Sequence, residues 1–375
     1  MKILFFTHYK SNPASMFHSQ AFSKNKNFYF DQNDNFENYD CIVFMSYKKD
    51  LETLKKIKKK YPNIKIGVCD GKGSIVFKYI EFIDFLVVNS IEMKLFFSKY
   101  CANIFIFNEF PDLNFKIDNL GKKKDKVIIG YHGNKAHLNS MYPDVTSAIE
   151  KLSKKYPIEL HLIYNINELG IWKAGRPKNV LIKDIQWSMN AMVENLSNWD
   201  LGIYFGGTPI QNLLVTKRLS SNYFLGNNDD YFLRFKMKNN PGKIITFFQA
   251  GVPVIADLNP SALQLIDDGY NGEIAHGISS WYYKLEKLIS NPELRSIYRT
   301  RSLEKIDNKY SLQYQSDELV KYIIDLKENK IFPQIKTALK DRIKYKLNSY
   351  IDDFKYNFSK LIKKVFKFIN YRKNK

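Results

Sequence analysis

Cysteine is nearly absent from this chain. Cys41, Cys69 and Cys101 are the only three in 375 residues, and no Cys-x-x-Cys pair occurs. A disulfide framework is excluded and a cysteine zinc site has no support; buried free thiols in a reducing compartment are expected. Arginine is almost as scarce, with eight residues, so the net charge of +20 is carried by lysine. With so little arginine and no RRM, KH or helix-turn-helix signature, the charge argues weakly for nucleic acid. Part of it matches the Lys-, Asn-, Ile- and Phe-rich usage of an AT-rich genome. No apolar run reaches the roughly 18 residues that would span a bilayer. Met1–Lys10 has a short apolar run without a cleavage site and reads as a first strand. The expected location is the cytoplasm. Histidine is limited to six residues.

What is present suits globular domains. Hydrophobic residues make up 45% and aromatics 15%, which excludes a disordered tail protein, a collagen and a small disulfide scaffold. At roughly 150 residues per domain the length suggests two domains. In the first third, short apolar runs at Lys2–Thr7, Tyr39–Ser46, Asn63–Cys69, Phe85–Asn89 and Asn103–Phe107 alternate with helical stretches at Leu51–Tyr61 and Ile91–Tyr100. Continuous apolar runs of this length suit strands of a parallel sheet covered on both faces. The polar, charged Asp118–Lys126 reads as a linker. The pattern then restarts, with strands expected at Lys126–Tyr131, Ile158–Tyr164, Asn179–Ile182, Asp200–Phe205 and Val252–Ala256, and helices within Met141–Tyr156 and at Met189–Asn198 and Lys243–Gln249. The expected fold class is α/β: two Rossmann-like, doubly wound domains, residues 1–120 and 126–312, facing a cleft. A helical extension, 313–375, follows. Gly206–Gly242 reads as a long insertion, either a lid or a plain surface excursion.

The segment Pro241–Ala275 carries the most chemistry. A helix ends at Gly251, a short strand follows, and Asn259 and Ser261 cap a new helix. That arrangement puts a helix N-terminus at the carboxyl end of a parallel strand, where N–H groups favour an anion such as a diphosphate. The alternative is any α/β domain with tight turns.

The run K-x3-F-F-x-A-G-V-P-V-I-A followed by L-I-D-D-G-x-N-G resembles the carboxyl-terminal half of GT-B glycosyltransferases, in particular the group of retaining mannosyl- and glucosyltransferases. Asp84–Ser90 with Asn108–Asp112, Ile129–His137, and Val180–Ile203 are similar to further parts of that family, over roughly residues 1–315. The resemblance implies transfer of a sugar from a nucleotide-sugar substrate, with no cofactor and no bound metal. It implies that Gly133, Asn134 and Lys135 form a donor-phosphate loop. Lys243 would reach the diphosphate, and Ser261 and Ala262 would offer it helix N–H groups. Lys183 and Asp184 would lie on the loop that contacts the base. Where many retaining members carry Glu-x7-Glu, this chain has Lys238 and Thr246.

Three further expectations come from single residues and the tail. His132 beside the Gly-Asn turn is expected to take part in catalysis by contacting the donor, rather than to hold a metal. Asp70, at the end of the third strand, is the best first-domain carboxylate for a catalytic base, or else a helix cap; Glu109 and Asp112 are further candidates, better placed to hold the interdomain hinge. His18 is either an acceptor-positioning residue or a plain loop histidine. In Ile351–Ile369 apolar residues recur at helical spacing opposite five lysines, which suits a helix lying on an anionic membrane surface or, alternatively, packed on the protein itself. Thirteen Lys/Arg against three Asp in residues 331–375 hold half of the whole charge excess. The expected partners are therefore a nucleotide sugar, a glycan or lipid-linked acceptor and an anionic membrane, in cell-surface polysaccharide synthesis. A catalytically degenerate scaffold and a nucleic-acid-binding protein are the alternatives.

Overall fold

The computed structural model describes residues 1–30, 35–71, 74–113, 115, 125–205 and 240–332, and single residues between 343 and 362. Part of the linker, nearly all of the 206–242 insertion, Lys72, Gly73, Lys238 and the lysines of the terminal helix lie outside the described residues.

Strands are β1 (Ile3–Phe6), β2 (Phe28–Tyr29), β3 (Cys41–Met45), β4 (Lys65–Cys69), β5 (Phe85–Val88), β6 (Ile104–Ile106), β7 (Val127–His132), β8 (Ile158–Tyr164), β9 (Leu181–Gln186), β10 (Leu201–Tyr204), β11 (Val254–Asp257) and β12 (Glu273–Ala275). Helices are α1 (Pro13–Phe22), α2 (Lys48–Lys60), α3 (Ile91–Phe97), α4 (Lys135–Leu138), α5 (Asp144–Leu152), α6 (Ile166–Leu169), α7 (Met189–Leu196), α8 (Gly242–Gln249), α9 (Pro260–Leu265), α10 (Gly277–Ser290), α11 (Pro292–Lys309) and α12 (Leu312–Ile324). Two six-stranded sheets result, ordered β2-β1-β3-β4-β5-β6 and β12-β11-β10-β7-β8-β9, and every pairing is parallel. Parallel neighbours need crossovers, and the helices supply them while covering both faces. Strands such as β3 and β8 are accordingly buried along their whole length, each large apolar side chain contributing roughly 1.5–3 kcal/mol.

Because all strands in a sheet run the same way, their carboxyl ends share one edge. The loops after β1, β4, β5 and β6 lie along that edge of the first sheet. Those after β7, β10 and β11 lie along that of the second.

Residues 313–332 differ from the expected extension. They return to the first sheet. Ser316 Oγ donates to Ala21 O (2.7 Å), Asn108 N donates to Gln315 Oε1 (2.7 Å), and Lys65 Nζ donates to Ile323 O (2.9 Å). Tyr322 packs on Phe105, with ring centroids 5.2 Å apart. Residues 313–332 thus belong to the same compact unit as the two sheets, and the described residues between 343 and 362 belong to a second unit. In the second unit the described residues are helical, and Ile351, Phe354, Phe358 and Ile362 are exposed. The rings of Phe354 and Phe358 stack at 5.9 Å.

Candidate active site

β7 ends at His132 and the chain turns at Gly133, whose φ of +139° is rarely adopted by residues with a side chain. Space is a second reason for glycine there. A Cβ would meet Lys243 Cε and Nζ at 2.6 Å and the Tyr131 hydroxyl at 2.9 Å. The lysine ammonium therefore rests directly against the turn. It is 2.8 Å from His137 Nδ1, to which it donates, and 5.4 Å from the centre of the Tyr131 ring. Gly133 and Lys243, 110 residues apart in sequence, come together as expected.

Lys243 is held by the start of α8. Gly242 packs so closely on the segment after β6 that a Cβ would stand 1.8 Å from Glu109 O. Asn240 fastens the same junction, its Nδ2 donating to Glu109 O (2.9 Å) while its Oδ1 accepts from Gly242 N (2.9 Å). His132 Nε2 donates to Lys243 O at 3.1 Å. Burial, and then the neighbouring Lys243 charge, push the His132 pKa down to about 3. The imidazole is neutral at physiological pH, so it is no proton reservoir there. Its role corrects the catalytic expectation: it positions the lysine's helix.

The other expected donor residues divide. Asn134 caps α4, its Oδ1 accepting from Ala136 N (2.8 Å). Lys135 lies beside it but turns away to donate to Leu169 O. Lys183 and Asp184 lie inside β9, not on a loop. Asp184 is bound bidentately by Arg176 (3.1 and 2.7 Å) and accepts from the Tyr164 hydroxyl (2.8 Å), a structural ion pair rather than a base-binding group. Thr246 is fully buried and its hydroxyl donates to Gly242 O (2.9 Å) within its own helix. It offers a ligand nothing.

The start of α9 is also corrected. Ser261 and Ala262 are fully buried. Ser261 N donates to Glu92 Oε1 (3.0 Å) and its hydroxyl to Glu92 Oε2, while Ala262 N donates to Asn259 Oδ1 (2.9 Å). Glu92 comes from α3, on the first sheet. The expected anion position is already taken by a carboxylate of the same chain.

Across the junction, Asp70 follows β4 with φ +54°, buried. Asn89 Nδ2 donates to both Asp70 Oδ1 (3.0 Å) and Glu109 Oε2 (2.7 Å). One amide thus ties together two buried carboxylates at the ends of β4 and β6. Sequence reading singled out Asp70 but missed Asn89, and left Glu109 to the hinge. Glu109 does both: its carbonyl meets α8 and its carboxylate joins Asp70. The only sequence signal was its place after a strand. His18 is on α1 rather than a loop. It is buried, with Nδ1 2.8 Å from Ala14 O and its ring 5.9 Å from that of Phe107.

No family model matches the sequence, and no curated protein matches it. Solved structures do. A glycosyltransferase from Rickettsia africae superposes with a TM-score of 0.59 at 12% identity, over 87% of this chain and 98% of that one. HepE from Anabaena, in complex with UDP and glucose, gives 0.56 at 11% identity, over 87% of this chain and all of that one. TarM gives 0.50 at 12% identity over 75% of this chain, which spans about half (54%) of TarM's length. At such identities the likeness speaks to architecture. Two parallel sheets joined through the Glu109–Gly242 contact and superposing nearly end to end on these proteins give the chain the two-domain α/β fold of GT-B glycosyltransferases.

Proposed function

We propose that this chain transfers a sugar from a nucleotide-sugar donor to a glycan or lipid-linked acceptor in cell-surface polysaccharide synthesis. The observation that carries the reading is the Lys243 ammonium braced by His137 against the glycine turn after β7. Gly133 lets a phosphate oxygen approach the backbone closely. Lys243 supplies positive charge where the diphosphate leaves, so that no metal is required for that step. HepE, on the same fold, is described in complexes with UDP and with UDP-glucose, which favours a uridine nucleotide. The Asp70–Asn89–Glu109 group lies on the acceptor side. In this reading one carboxylate takes the proton of the attacking hydroxyl, while Asn89 fixes the spacing of the pair.

Residues 351–369 are assigned to an anionic membrane surface at the inner face of the cell membrane. Ile351, Phe354, Phe358 and Ile362 fall three or four residues apart, one apolar face of a helix, and all are exposed. Binding to vesicles that rises with anionic lipid content is the expected result; equal binding to neutral vesicles counts against the assignment.

The donor reading is tested by a thermal-shift panel of nucleoside diphosphates and nucleotide sugars. A ligand at a hundred times its dissociation constant adds about 2.7 kcal/mol of stability. The expected outcome is a clear shift with one nucleotide class. A flat response to every nucleotide removes the proposal.

A further inference from the structure

An apolar patch is exposed where α3 ends beside the first sheet. Phe77 in the turn after β4, Leu95 on α3, and Ile331 and Phe332 beyond α12 are each between 38% and 53% exposed. Buried aromatic side chains join them. The Phe77 ring centroid is 4.9 Å from that of Tyr100 and 6.3 Å from that of Phe96. Phe332 N donates to Tyr100 O (2.9 Å), and Ile331 pairs with Cys101 in an isolated antiparallel bridge. Lys99 Nζ covers the Phe96 ring at 4.4 Å and the Tyr100 ring at 5.7 Å. Leu95 stands four residues before Lys99, one helical turn away. Apolar side chains exposed singly are ordinary, but several together mark a contact surface. Lysine borders this one. Within four positions of the four residues, the described charged side chains that reach the surface are Lys78, Lys94, Lys99, Lys327 and Lys330 against Glu81 and Glu328.

We propose that this patch is a second membrane contact, seating Phe77, Leu95, Ile331 and Phe332 in the interface of an anionic bilayer, an inference that rests on reading this chain as a peripheral membrane protein. The chemistry selects the occupant. A second copy of the chain on the patch would bring lysine against lysine. A neutral apolar partner would leave the lysine border without counter-charge. An anionic bilayer satisfies both parts. The acyl boundary receives the apolar tips, and the lysines lay their stems along it and raise their ammonium groups to the headgroup phosphates. Phenylalanine tips enter that boundary readily. Sequence continuity adds to the argument. Residues 333–375 follow Phe332 directly and carry thirteen Lys/Arg against three Asp. One chain thus holds two lipid contacts in succession, and binding of either raises the effective concentration of the other. Attachment is by avidity rather than by the tail helix alone.

The test is site-specific labelling of the full chain. All three native cysteines are buried, so Leu95→Cys takes a single environment-sensitive fluorophore. Phe354→Cys reports on the tail in the same way, and Tyr283→Cys, at an exposed position on α10, serves as control. Each labelled protein is mixed with phosphatidylcholine vesicles, with and without phosphatidylglycerol, and bound protein is measured by sedimentation. The label at 95 should brighten and shift to shorter wavelength with the anionic vesicles, while the label at 283 stays unchanged. A silent label at 95 on sedimented protein overturns the proposal, and a responding label at 354 in that sample leaves the tail assignment standing. A responding label at 95 with a silent one at 354 removes the tail assignment and keeps the patch. No sedimentation with either vesicle removes both. As a second measurement, Leu95→Ser combined with Phe332→Ser should lower the partition coefficient about tenfold. Both side chains are exposed, and circular dichroism checks that the variant is folded. Undiminished sedimentation of that variant also overturns the proposal.

Discussion

Two helices begin at the carboxyl edge of the second sheet, and in sequence both invite an anion. What stands in front of them differs. At α9 the Ser261 N–H and hydroxyl are filled by the Glu92 carboxylate. At α8 the first turn presents Lys243 to the glycine turn after β7. A helix N-terminus attracts negative charge only until something in the protein supplies it. A phosphate brought about 4 Å from Glu92 would meet repulsion of about 4 kcal/mol per pair of unit charges at an effective dielectric near 20. That exceeds what the end of a helix contributes, about 0.3–2 kcal/mol. The same phosphate beside Lys243 is attracted instead. Of two positions that look equivalent in sequence, electrostatics leaves one.

The comparison breaks most decisively at Lys243. Lys243→Ala should weaken UDP binding by about 10- to 100-fold in a calorimetric titration, the loss of one charge-assisted contact of about 1.5–3 kcal/mol. Lys135→Ala should leave it within about twofold, since that ammonium is turned to Leu169 O. Equal losses in the two variants would mean that charge near the turn, not the Gly133–Lys243 contact, holds the nucleotide.

Next in size is Glu92→Gln. It replaces a buried charged acceptor by a neutral one and should lower urea-denaturation stability by about 2 kcal/mol. Nucleotide affinity should stay unchanged. If the variant instead binds UDP about ten times more tightly, Glu92 has been occupying the phosphate's place. The start of α9 would then become the donor site.

How much of this was legible follows from the range of each contact. The buried strands were plain because parallel strands covered on both faces must be apolar throughout. Lys243 was legible because a lysine opening a helix before A-G-V-P-V-I is a local pattern. The partner that fills Ser261 lies 169 residues away, and no local pattern announces it. Asp184 failed differently. The strand was expected to stop at Ile182, with Lys183 and Asp184 on the loop that the family resemblance places after it. The Arg176 ion pair lets β9 carry the carboxylate inside the strand and run on to Gln186. α1 was overlooked although Asn12–Pro13 is a good start signal, a cap followed by proline at the first helical position. His18 was therefore read as a loop residue. α10 and α11 went unassigned as well, although Asn291–Pro292 repeats the same signal.

The smallest expected effect concerns how the α8 side of the comparison is held. His132 is buried neutral, with its pKa lowered to about 3 from an ordinary 6.5. As pH falls below 6.5 the unfolded chain takes up a proton at this residue while the folded chain does not. Folding stability should therefore be full above about pH 7 and fall progressively as acidity increases towards pH 3, by about 1 kcal/mol between pH 6.5 and 5.5. The other histidine with a clearly lowered value, His161, adds a slope of the same sign, so the measurement has to be a difference. Urea denaturation of the wild type and of His132→Gln at pH 7.5, 6.5 and 5.5 isolates it. The variant retains a side-chain donor for Lys243 O but has nothing to protonate, so its slope should be shallower by about 1 kcal/mol per pH unit at the acid end. Parallel slopes would mean that His132 is open to protons, and that the lysine's helix is held by the Glu109–Asn240 junction alone.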